Sequence, residues 1–291
     1  MSKRNRARRD ERQPNPQPIR LTERDLQIVK AVYEYRVLTT QQLQSLFFPS
    51  MHQAYNRLAA LYHHGFLDRS FMGVYTDMMN TPILYVLDRK GADLLQARYG
   101  QDVAWNSSHK QVSIQFLDHT LAINTVRIAV SQACERLVDC DLLEWRSESD
   151  LKGDYDRVTI QTTSGKSKSV SLIPDSYFVL KTPLGNAHFF LELDRGTMTS
   201  KRFKQKIFAY MQYYKTGKYQ NRFQTKSLRI LTVTTSQARA DNLKVATESA
   251  KGKQRFWFTI LAHTIPDSIL TAPVWQVAGK EGTHPLVDLI K

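Results

Sequence analysis

Between residues 21 and 65 apolar positions recur at helical spacing in three short blocks. In "LTERDLQIVKAVYEY" the residues Leu26, Val29, Ala31, Val32 and Tyr35 supply one apolar face, and Thr22 with Asp25 three residues on forms a capping box at its start. A second helix starts after Thr39 or Thr40 and carries Leu43, Leu46 and Phe47. Pro49 ends it, because the ring cannot continue the hydrogen-bond ladder. A third helix, about 51–64, has Ala54, Leu58 and Leu61 at helical spacing, and Gly65 stops it. The segments "FLDRS" and "PILYVLD" then read as a hairpin, and "RKGADLLQARYG" as a further helix.

The pattern changes after residues 101–112, which read as a linker. A helix over about 113–138 is apolar nearly all round (Ile114, Phe116, Leu117, Leu121, Ile123, Val126, Val130), which predicts burial. Strand patterns follow at "DLLEWRS", "VTIQT", "SVSLIPDSYFVL" and "AHFFLELD", then a helix over about 198–216, strand "LRILTVT", helix "ARADNLKVATESA" and strand "RFWFTIL". This order predicts an α/β sandwich with a mixed sheet over 113–291.

Three helices followed by a hairpin, over residues 21–100, is the order of a winged helix–turn–helix, whose third helix enters the major groove. Its outward residues here are His52, Gln53, Tyr55, Asn56 and Arg57, and amides and guanidinium read adenine and guanine edges bidentately. The alternative is a protein-interaction module in which the same residues are soluble surface.

Charge favours the first alternative. Lys and Arg number 41 against 27 Asp and Glu, a formal net charge of +14, so a polyanion is the expected partner and nucleic acid the commonest one. No apolar run approaches the roughly 18–20 residues of a membrane span, so no membrane partner is expected. Residues 1–20 read as a disordered basic arm that tracks phosphates or is simply solvated. The two cysteines, Cys134 and Cys140, fit reduced thiols in a cytoplasmic protein.

The sharpest chemical feature is "FFLELDRGT", a core strand that ends in two carboxylates and a guanidinium. A buried helix, then "PD" on one strand and an acidic strand end about seventeen residues on, then a basic helix, resembles the restriction-endonuclease-like PD-(D/E)xK fold. In that fold Asp and Glu at adjacent strand ends hold Mg²⁺, and a Lys two residues after the Glu helps activate water. Asp175 matches the Asp and Glu192 the Glu, but Asp194 stands at the Lys position. The segments "LTERDLQIVKAVYEYRVLTTQQLQSLFF", "YVLDRKGADLL", "IPDSYF" and "FFLELDRGT" together resemble the replication-relaxation family of winged-helix proteins from plasmids, phages and other mobile elements. That resemblance implies DNA binding linked to plasmid replication, DNA relaxation or transfer, with replication or transfer proteins of the same element as further partners.

Two readings of the cluster stay open. In one, Asp175, Glu192 and Asp194 bind Mg²⁺ or Mn²⁺ and Lys206, one helical turn before Tyr210, supplies the missing cation of a nuclease. In the other, Arg195 or a lysine of the next helix neutralises the carboxylates and no cofactor is needed. From Arg195 to Arg239 there is no acidic residue. Lys201, Arg202, Lys204, Lys215, Lys218 and Arg222 lie in this run among Tyr210, Tyr213, Tyr214 and Tyr219, which predicts a DNA-backbone surface with tyrosines to stack exposed bases. The expectation is a DNA-binding accessory or regulatory factor that clamps DNA, with a metal-dependent endonuclease or nickase as the rival.

Overall fold

Thr22 opens the first helix as its spacing predicts: the Thr22 hydroxyl accepts from the Asp25 backbone, and the Asp25 carboxylate accepts from the Thr22 N–H at 2.7 Å. The computed structural model describes residues 9–71, 82–100, 103, 105, 114–161 and 165–288, with only the backbone of 114 and 115. Two compact units emerge, Met1–Asn124 and Thr125–Lys291.

In the first unit the order is α1 (Glu23–Tyr35), β1 (Leu38–Thr39), α2 (Thr40–Phe47), α3 (Met51–His63), β2 (Leu67–Phe71), β3 (Ile83–Leu87) and α4 (Arg89–Tyr99). A second capping box, Thr39 with Gln42, starts α2, and the Ser50 hydroxyl caps α3. Their apolar faces bury Ile28, Val29, Val32, Leu43, Leu58 and Leu61. The strands form an antiparallel sheet in the order β1-β3-β2, with Leu67 opposite Leu87. The segment between β2 and β3 lies outside the described residues.

Gly91 in α4 is demanded by close approach, since a Cβ there would stand 2.2 Å from the Phe66 carbonyl oxygen and 2.8 Å from Leu87 Cδ1. Backbone cannot yield as a flexible side chain does. Gly91→Ala is therefore expected to destabilise the first unit by roughly 1–3 kcal/mol, read from urea unfolding. A variant as stable as the wild type would show that α4 is free to shift.

Residues 9–20 are not the free arm that the sequence suggests. The Arg12 guanidinium donates to the Leu67 carbonyl (3.2 Å), Asp68 (3.1 Å) and Asp88 (2.5 Å), and lies over the Tyr62 ring. The Tyr62 hydroxyl donates to the Asp10 carbonyl at 2.9 Å, and the Gln13 N–H donates to His63 Nδ1 at 3.2 Å. These partners are distant in sequence, so composition alone could not show them. Residues 1–8 lie outside the described residues.

Helix α5 (Ile114–Arg136) contains the division between the units, which falls after Asn124. Its first half belongs to the first unit for physical reasons. Leu117 joins Val37, Leu84 and Val86 in one cluster, and the buried Asn124 amide donates to the carbonyls of Tyr35 (3.1 Å) and Val37 (2.7 Å). The expected linker over 101–112 lies almost wholly outside the described residues.

The second unit continues with β4 (Asp141–Ser147), α6 (Glu148–Lys152), β5 (Asp156–Gln161), β6 (Ser167–Leu172), β7 (Ser176–Thr182), β8 (Gly185–Asp194), α7 (Ser200–Thr216) and α8 (Lys218–Phe223). After these come β9 (Leu228–Thr234), α9 (Gln237–Ser249), β10 (Phe256–Ile260), β11 (Trp275–Val277) and β12 (Thr283–His284). The fold is mixed α and β around a large mixed sheet in the order β12-β11-β10-β9-β8-β7-β4, parallel where β8, β9 and β10 meet and antiparallel elsewhere. The single apolar run "SVSLIPDSYFVL" is two strands: β6 pairs with β5 as a separate ribbon, and β7 joins the main sheet. Phe203, Ile207, Tyr210 and Tyr213 of α7 pack with Tyr177, Phe190, Ile230 and Phe258 of that sheet in one core. Among the described residues no helix is long and apolar enough to cross a membrane.

Candidate functional site

Residues two apart on a strand share a face, so β8 presents Phe190, Glu192 and Asp194 together on the side that carries α7. Both carboxylates are buried, Glu192 at 7% and Asp194 at 4% exposure, and each must therefore find a cation or donors. Glu192 finds Lys206 and Tyr210. The Lys206 ammonium and the Tyr210 hydroxyl donate to its two oxygens, because positions four apart on α7 project from one helical face. Asp194 finds Arg239 of α9, whose Nε and terminal nitrogen donate at 2.7 and 3.1 Å, while the Thr234 hydroxyl adds a bond at 3.1 Å. The same guanidinium donates to the Met198 carbonyl at 2.8 Å and ties down the segment before α7.

Asp175 occupies a third position. Its carboxylate accepts from the Leu193 N–H at 2.6 Å, extending the β7–β8 ladder by one step. It is half-buried. Burial pushes the Glu192 carboxyl up to about 7, with the Asp175 charge adding to the rise and Lys206 and Tyr210 opposing it. Burial pulls the Lys206 ammonium down, but Glu192 and Asp175 outweigh it and hold the group above its ordinary value. Burial and the neighbouring Glu192 charge raise the Tyr210 hydroxyl well above the ordinary phenol range.

This geometry shows how the carboxylates of the expected metal site are occupied. A hard cation needs several oxygens with free lone pairs turned to one point. Here both Glu192 oxygens accept from Lys206 and Tyr210, and both Asp194 oxygens accept from Arg239. Among the described residues no three His, Cys, Asp or Glu side chains are placed to hold an ion. As placed, Glu192 and Asp194 turn their oxygens to cationic or hydroxyl donors of the protein itself. Lys206 reaches Glu192, as the spacing suggests, as an ion-pair partner, and Arg239 of α9 pairs with Asp194.

The basic run divides into surface and core. Lys201, Arg202, Lys204, Lys215 and Lys218 are exposed, with Lys218 donating to the Arg157 carbonyl at 2.8 Å. Arg222 is turned inward to Asp156 at 3.5 Å, so it leaves the set of cations open to a ligand. The tyrosines are turned inward. Tyr210, Tyr213 and Tyr219 are buried, Tyr213 donates to Asp156 at 2.5 Å, and Tyr214 donates to the Leu228 carbonyl at 2.9 Å.

On α3 the residues His52, Gln53, Tyr55 and Asn56 are exposed, and the Asn56 amide meets His52 Nε2 at 3.0 Å. Arg57 departs from the expected reading set. Its Nε donates to the fully buried Asp25 at 2.7 Å, a terminal nitrogen donates to the same carboxylate, and that nitrogen also donates to the Arg20 carbonyl at 2.8 Å. A base contact would strip Asp25 of its only cation in that set of bonds, which is a strongly unfavourable exchange.

The Replication-relaxation family matches residues 29–226, about two thirds of the sequence. The chain belongs to the Replication-relaxation family. No curated protein matches it. Among solved structures, one titled as the structure of restriction endonuclease FokI is similar over 83% of this chain and 42% of that chain, at 10% identity and a TM-score of 0.28. The chain thus spans less than half of that structure's length. In this Replication-relaxation protein, the family match takes in the second half of α1 and the span from α2 to α8, with Asp175, Glu192, Asp194, Lys206 and Tyr210, but stops before Arg239.

Proposed function

We propose that this chain is a DNA-binding accessory protein in the replication of a mobile element. Its first unit acts as a winged helix that reads duplex DNA through α3, and its second unit holds the phosphate backbone without cutting it. One observation carries the reading: α7 exposes Lys201, Arg202, Lys204 and Lys215 while its aromatic stripe is buried. An acid-free row of cations repels itself unless a polyanion lies across it. The inward pairing of Glu192 and Asp194 favours holding over hydrolysis, since both carboxylates are already neutralised by Lys206 and Arg239.

The test is duplex affinity as a function of salt. Log K is expected to fall linearly with log salt, at about 0.9 per phosphate contact. Lys201→Ala with Lys204→Ala should weaken specific and random duplexes alike and make the slope shallower by about 2. Gln53→Ala and Asn56→Ala should each cost roughly 1–3 kcal/mol on a preferred duplex and little on a random one. Salt-independent binding, or no binding, would refute the proposal.

A further inference from the structure

The β5–β6 ribbon has two faces of opposite character. Val158, Ile160 and Leu172 turn inward and join the core that includes Phe203 and Ile207 of α7. The outward face consists of three cross-strand pairs, Arg157 with Ser171, Thr159 with Ser169, and Gln161 with Ser167, all exposed. The Gln161 amide donates to the Ser167 hydroxyl at 3.0 Å, and the Arg157 guanidinium donates to the Tyr155 hydroxyl at 3.0 Å.

This is not the composition of an ordinary solvated strand face, where lysine and glutamate mix. From Arg157 to Pro174 there is no acidic residue; Arg157 is the cation of the outward pairs, while Lys166 precedes β6 and Lys168 stands opposite Ile160 on the other face. The aromatic group beside this face is Tyr155, exposed at its end and tied to Arg157, and not an apolar anchor at the centre of the face as in a protein–protein interface. What the face offers is a row of hydroxyl, amide and guanidinium groups on a rigid two-stranded support. We infer that the outward face of this ribbon is a second nucleic-acid contact, laid into a groove of duplex DNA; this rests on the DNA-binding reading above and deepens it.

Dimensions and charge support that occupant. Two strands lie about 4.8 Å apart, so the ribbon with its side chains matches a major groove about 12 Å wide. Gln161 and Arg157 are the residue types that make paired bonds to adenine and guanine edges, and the Ser and Thr hydroxyls donate or accept at either base or phosphate. The Gln161 amide and the Arg157 guanidinium are engaged with Ser167 and Tyr155. The groups are exposed, so releasing those bonds to a base edge leaves nothing buried and unpaired.

The experiment uses the full chain and a random-sequence duplex library, from which the wild type selects a preferred duplex. Arg157→Ala/Thr159→Ala/Gln161→Ala is expected to lose at least about tenfold in affinity for that duplex, with a much smaller loss on unselected DNA and an unchanged melting temperature. If the triple variant melts early, Ser169→Glu supplies the second measurement: it places one carboxylate on the outward face and should lower affinity by a similar factor. Wild-type binding that neither variant alters overturns the ribbon contact while leaving the DNA-binding reading intact. Loss of binding to phosphatidylserine vesicles but not to duplex would assign the face to a membrane and also overturn it. Failure of the wild type to bind any duplex would instead overturn the reading on which the inference rests.

Discussion

Arg57→Met is expected to destabilise the first unit by roughly 3–5 kcal/mol at pH 7, the scale for leaving one partner of a buried ion pair without the other. Asp25 is fully buried and receives the Arg57 guanidinium in two bonds and the Thr22 N–H and hydroxyl at 2.7 Å each. Burial alone would raise the Asp25 carboxyl, but Arg57 and Thr22 together hold it below its ordinary value. A depressed carboxylate contributes stability that is present above its unfolded pKa and lost as pH falls through the folded one. Without Arg57 the burial effect prevails and the sign reverses: the variant should gain stability relative to wild type as pH falls from 7 towards 4. Chemical unfolding at several pH values reads both effects. Adding Asp25→Asn to Arg57→Met should recover most of the loss, because no charge is then orphaned. A loss below about 1 kcal/mol with a flat pH difference would mean that the guanidinium is free, and would return Arg57 to the candidates for base reading.

That pair also shows where sequence reasoning reaches its limit. The capping boxes at Thr22 and Thr39, the helix stops at Pro49 and Gly65, and the Lys206–Tyr210 juxtaposition are local. Each follows from spacing along one helix, and each is legible before any coordinates are known. Arg57 and Asp25 lie 32 residues apart, and Arg239 and Asp194 lie 45 apart. Nothing in either segment announces the partner, so a cation destined for the interior looks the same as one destined for DNA. Arg12 and Arg222 likewise meet partners far along the chain, Asp88 and Asp156. The tyrosines of α7 and α8 are half-legible: Tyr210 and the half-buried Tyr214 fall on the same apolar stripe as Phe203 and Ile207, but only the packing shows that Tyr213 and Tyr219 are buried. The split of "SVSLIPDSYFVL" into two strands had a visible signal in Pro174, which lacks the N–H that a continuous ladder needs.

The carboxylate cluster gives the other large expected effect. The wild type should be more stable at pH 5 than at pH 8 by an amount that Glu192→Gln abolishes. The folded Glu192 carboxyl stands at about 7 against an ordinary 4.5, so between those values the folded state binds the extra proton and stability falls as pH rises. The displacement corresponds to roughly 3 kcal/mol across that window. Glutamine resembles the protonated acid and should flatten the profile. Lys206→Met acts more severely: at pH 8 it leaves the Glu192 charge buried without its cation, at an expected cost of roughly 3–5 kcal/mol, shrinking towards pH 5 as the carboxyl takes up its proton. Divalent ions provide the decisive control. Because Lys206, Tyr210 and Arg239 already occupy the carboxylate oxygens, Mn²⁺ or Mg²⁺ should leave the wild-type melting temperature unchanged. A ligand that bound the folded state would raise it in proportion to RT ln(1 + [L]/Kd). A metal-dependent rise that Glu192→Gln removes would mean that the ion pairs open to form a hard-cation site, and cleavage of supercoiled plasmid under the same conditions would then convert the clamp into a nuclease.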